Sequence, residues 1–150
     1  MLSVIPSAKA TGEAESFLLG ARALIGVPFE ADPARKPGQL HPTELKEVTN
    51  CAGVISYGLR RSGIEMPYLS AKGLRLEMRK RGWLVSGKSV RNGDILQFGS
   101  QTAVVAEDLP PLGELSGNDL ILHAYYAPVT IQPWSEVSYN QSLFEVYRIH

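Results

Sequence analysis

Cys51 is the only cysteine of the 150-residue chain, and it stands directly ahead of a run with helical spacing. Val54, Ile55 and Leu59 fall on one face with it, Asn50 or Thr49 can cap the first turn, and Gly63 supplies a left-handed stop. The first N–H groups of a helix have no intrahelical partner and carry the positive end of the macrodipole. A thiolate placed there is stabilised, and the same N–H groups can receive a developing oxyanion. One position thus offers a nucleophile and an oxyanion hole. Free cysteine is also among the most buried residue types, so an inert core thiol is the competing reading.

A thiol nucleophile needs a base, and the histidines are His41, His123 and His150. His123 lies in the apolar stretch "LILHA", where a lone histidine is ordinarily a satisfied core residue. His41 sits beside Pro42 in a proline-rich loop and reads as solvent-exposed. These residues are far apart in sequence and show no ligand-spaced pair, so no metal site is expected. No "GxxxxGK" or "GxGxxG" stretch is present to cradle a phosphate, and nothing implies a cofactor.

The elements that must position these groups divide into two halves. Ala14, Phe17, Leu18, Ala21, Leu24 and Ile25 predict a helix over 13–25, stopped by Gly26-Val27-Pro28. Residues 28–47 contain four prolines and read as a long surface loop of the kind that borders sites. The helix opening at Cys51 follows, then a third from a Ser70 cap to Gly82 with Lys72, Arg75, Arg79 and Lys80 outward. After Gly82 come short strands: "WLV", "DILQF", "TAVVAE", "LILHAYY", "VTIQ" and "LFEVYRI". Helices first and strands second predict an α+β class with a small antiparallel sheet. Tyr125, Tyr126, Trp134 and Tyr139 cluster beyond "LILHA", as core packing or as one wall of a groove.

The length suits one domain spanning 1–150, with 1–11 as an N-terminal extension. A hydrophobic fraction of 44% with 20% charged residues excludes a disordered chain, and no stretch approaches a membrane span or a signal-peptide pattern. A cytoplasmic location is the default expectation, with delivery outside the cell by another route left open. Net charge is zero but uneven: residues 60–91 hold nine Lys/Arg against two acids, and residues 92–150 hold seven acids against Arg148. This predicts a basic face able to meet an anionic partner. Without a recognised binding module, nucleic acid is not the expected partner. Oligomeric state is not legible.

Taken in order, "TNCAGVISYGLRRSGIEMPYLS", "NGDILQFG", "QTAVVAED", "LILHA" and "LFEVYRI" resemble the blocks of the NlpC/P60 cysteine peptidases, over roughly residues 17–149. The resemblance implies a papain-like core of helices packed on a small antiparallel sheet. It also implies a thiol protease or amidase acting on a peptide or peptidoglycan stem, with Cys51 as nucleophile. His123 matches the polar residue that orients the catalytic imidazole. "GVPF", ending at Phe29, resembles a block that lines the site, and Asn50 and Ala52 flank the nucleophile. Asn50 replaces the family's frequent Asp, which helps recognise a substrate amine.

Gln101 departs from the pattern, for "QTAVV" aligns on "His-Val-Ala-Val-Val" and puts an amide where the catalytic imidazole belongs. An amide can hydrogen-bond a thiol but cannot take its proton near neutral pH. Three readings follow. His123 could itself reach Cys51, since neighbouring strands are about 4.8 Å apart, with Gln101 as a polar helper. The cleft could instead bind a peptide, a glycan or a protein without turnover, as a pseudoenzyme. Or the base could come from the loop, where His41 is the candidate.

Overall fold

The computed structural model describes residues 12–33, 37–137 and 144–150. The expected extension over 1–11 and Tyr139 lie outside them. Helices α1 (Gly12–Arg22), α2 (Cys51–Arg61) and α3 (Ala71–Lys80) precede strands β1 (Ile95–Phe98), β2 (Gln101–Glu107), β3 (Leu120–His123), β4 (Thr130–Pro133) and β5 (Glu145–Tyr147). The strands form one antiparallel sheet in the order β4-β3-β2-β1-β5. The architecture is α+β, as its helix-then-strand order predicts.

α1 stops at Arg22, short of the 13–25 expectation, because its last apolar positions are held by tighter bonds. Leu24 and Ile25 donate to Ala21 and Arg22 at 3.1 Å, three residues back, and Gly26 then turns with φ of +92°. The stretch "WLV" contributes a single bridge, Leu84 to Tyr147, and no full strand.

The sheet is buried on both sides, which explains why "TAVVA" in β2 reads as a continuous apolar run. Val104 and Ala106 join Phe17, Ile55, Leu59 and Leu122 under the helices, whereas Ala103 and Val105 join Phe98, Ile121 and Val146 on the far side. Trp134 packs on that far side, its ring 5.4 Å from Phe98, so it belongs to packing.

α1 and α2 cross where two glycines meet. A Cβ on Gly20 would lie 3.1 Å from the Gly58 Cα, and one on Gly58 would lie 2.8 Å from the Phe17 ring. Only residues without a side chain allow this approach, which seats Phe17 against α2.

Part of the charge asymmetry is met by ion pairs within the molecule. Arg60 and Arg61 pair with Glu44, Arg75 and Arg79 with Glu145, and Arg81 with Glu77, so five of the nine cations of the basic segment have acidic partners. Four of these cations share two carboxylates, Glu44 and Glu145, in pairs that tie α2 to the loop and α3 to β5 while the Arg side chains stay 39–42% exposed. No helix among the described residues is long and apolar enough to cross a membrane.

Candidate functional site

The start of α2 is built by its own sequence. Asn50, in extended conformation, caps the helix by accepting from the Gly53 N–H at 2.8 Å through Oδ1. Its amide nitrogen donates to the Ala31 carbonyl at 3.2 Å and ties the loop to the helix. Gly53 is required here, since a Cβ would lie 2.5 Å and 2.7 Å from the hydroxyls of Thr49 and Thr43, which bond each other at 2.9 Å. The loop can therefore lie flat against the first turn that carries Cys51.

Gln101 is delivered to the same place by the β1–β2 hairpin, which reverses at Gly99 (φ +58°) and Ser100. The Cys51 thiol donates to Gln101 Oε1 at 3.6 Å, a distance suited to sulfur. Burial pushes the thiol pKa up, against the N–H groups of Thr102, Ala52 and Cys51 itself, which pull it down. Burial wins, and the group is a thiol held by an amide.

Around this pair lies a cleft of about 310 Å³. Phe29, Asn50, Cys51, Ala52 and Gln101 all line it, so five of the six residues set against the family pattern meet in one place. One wall is aromatic, with the Phe29 ring 5.0 Å from Tyr126 and 6.3 Å from Tyr125. Tyr126 is 72% exposed and has a backbone φ of +54°. For an L-residue with a side chain, that left-handed conformation costs about 1–2 kcal/mol.

The opposite wall pairs His41, the loop candidate, with Tyr68, a partner that sequence reasoning did not place. His41 stacks on Tyr68 with ring centroids 4.1 Å apart and lines the cleft, so it is not the solvent-exposed loop residue expected. Tyr68 and the α2 cations Arg60 and Arg61 all bond Glu44. No local pattern in the sequence announces this wall, because it is assembled from a loop and a segment 24 residues apart at Glu44 and Tyr68. Nδ1 of His41 accepts from the Thr43 N–H at 3.1 Å, which places the ring proton on Nε2.

His123 is the sixth residue, and it is not among those lining the cleft. It faces Thr130 across the β3–β4 ladder, and its Nε2 bonds Gln132 Oε1 at 2.7 Å. Burial lowers its pKa, with the Gln132 bond acting the other way. The structure thus brings Cys51 to Gln101 and His123 to Gln132, and among the described residues no imidazole bonds the thiol. No group of three His, Cys, Asp or Glu among the described residues is placed to hold a metal ion.

No family model matches the sequence, and no curated protein matches it. Solved structures do. RipD from Mycobacterium tuberculosis, described as a non-catalytic NlpC/P60 domain protein adapted to peptidoglycan binding, superposes with a TM-score of 0.56 at 19% identity, covering 92% of this chain and 98% of that one. The P60 domain of an antigen from M. avium paratuberculosis gives 0.57 at 17% identity, covering 97% and 99%. The peptidoglycan hydrolase RipB of M. tuberculosis gives 0.57 at 18% identity, covering 94% and 66%. Three helices packed on a five-stranded antiparallel sheet match these structures over nearly the whole chain: the chain has the fold of the NlpC/P60 domains.

Proposed function

We propose that this protein binds a peptidoglycan fragment, through its peptide stem, in the Cys51 cleft and does not cleave it. The observation that carries this reading is the Cys51–Gln101 pair. A hydrolase of this design needs a base that takes the thiol proton and later returns it to the leaving amine. Gln101 occupies the position beside the sulfur and has no such capacity. His41 presents a protonated Nε2 while Nδ1 is engaged, and His123 is held by Gln132. The upward-shifted thiol pKa supports the same conclusion, because the nucleophilic thiolate is scarce at neutral pH. RipD, which has the same fold and is described as non-catalytic and adapted to peptidoglycan binding, offers a precedent.

The test is to incubate the protein with soluble stem peptides, measuring binding by calorimetry and cleavage by mass spectrometry on the same samples. Saturable binding without new fragments is expected, and Cys51→Ala should still bind. Cleavage that disappears in Cys51→Ala would replace this reading with a cysteine hydrolase.

A further inference from the structure

The aromatic wall of the cleft has a property that peptide recognition does not use. Its outermost ring, Tyr126, lies on the six-residue connection between β3 and β4, against Phe29 at 5.0 Å and Tyr125 at 4.6 Å. It is 72% exposed, whereas the Cys51 end of the cleft is buried. Turns that need a left-handed residue are ordinarily served by Gly or Asn. Tyr126 adopts φ of +54° there, and its exposed ring returns little packing to the core in exchange.

We infer that Tyr126, backed by Phe29 and Tyr125, is a stacking platform for a sugar ring, so that the cleft binds a stem peptide still joined to its sugar more tightly than the free stem peptide. This rests on the peptidoglycan reading of the same cleft. A one-sided, open aromatic face suits a pyranose, which can lay its C–H face on the ring and leave its hydroxyls in water. An aliphatic peptide side chain gains most when enclosed, and an open face would bury only part of it. The polar groups of Ser100 and Gln101 line the same cleft and can receive the peptide that follows the sugar.

The experiment compares two ligands by calorimetry on the full chain: a stem peptide, and the same peptide attached to its N-acetylated disaccharide. The disaccharide-peptide should bind on the order of tenfold tighter, the scale of one aromatic contact. In Tyr126→Gly that difference should collapse while the melting temperature rises, because glycine relieves the backbone. A ring kept only for structure would not produce that opposite pair of effects. Tyr126→Asn, also tolerant of the left-handed region, should behave likewise. Equal affinities in the unaltered protein, or a difference that survives both substitutions, would overturn the platform and leave peptide binding standing. Failure of both ligands to bind would overturn the platform and the peptidoglycan reading together.

Discussion

Gln101 accepts the hydrogen bond of the Cys51 thiol at 3.6 Å, so the side chain that holds the sulfur is neutral and stays neutral across the physiological range. With burial raising the thiol pKa, iodoacetamide alkylation of Cys51 should be slow at pH 7 and should titrate above the unperturbed value of about 8.5. His123→Ala should leave the profile where it is. A midpoint below 8, lost in that variant, would reveal a working Cys/His pair.

Replacing the amide by an imidazole tests the same relationship from the other side. Gln101→His puts a base beside Sγ, and an ion pair there favours the thiolate. Alkylation at pH 7 should accelerate by roughly tenfold or more, for about one unit of pKa is a factor of ten in thiolate. An unchanged rate would mean that burial, and not the missing base, keeps the thiol quiet.

The buried His123 makes a pH-dependent contribution of definite sign. Its pKa is lowered in the folded protein, so the unfolded chain binds the extra proton first as pH falls. Its contribution is full above the unfolded value of about 6.5 and is lost as pH falls from there through the folded value. Urea denaturation between pH 7.5 and 5 should show the protein losing stability relative to His123→Gln. Parallel curves would remove His123 as the cause.

The crossing of α1 and α2 tolerates no side chain at Gly58. Gly58→Ala should cost about 1–3 kcal/mol by overpacking against Phe17, even though alanine is the better helix former. The shift in urea midpoint measures it, and a neutral or stabilising result would mean that α1 can move away freely.

What was readable in the sequence follows the range of the physics. The cap at Asn50, the amphipathic run from Cys51 and the doubly buried β2 depend on near neighbours, and they appear in the structure where spacing placed them. That Gln101 carries an amide and not a base is legible from residue type alone, and the structure brings that amide to the Cys51 thiol. The partner of His123 was not readable, since Gln132 reaches it only through the register of β3 against β4. The His41–Tyr68 wall depends on Glu44 gathering groups from α2 and from the segment after it, a contact that no local period encodes.

That gathering by Glu44 has a mechanical consequence. The His41–Tyr68 side of the cleft is latched to the helix that begins at Cys51, so floor and that side form a single anvil. The facing jaw rides on the short connection between β3 and β4, whose Val129 bonds Gly26 and Val27, and on Phe29, which bridges to Thr49. A guest seated on Tyr126 would therefore bear on the tip of that connection, between its buried ends Ala124 and Val129. Amide exchange on either side of the bite would be damped unequally, most strongly over residues 124–129.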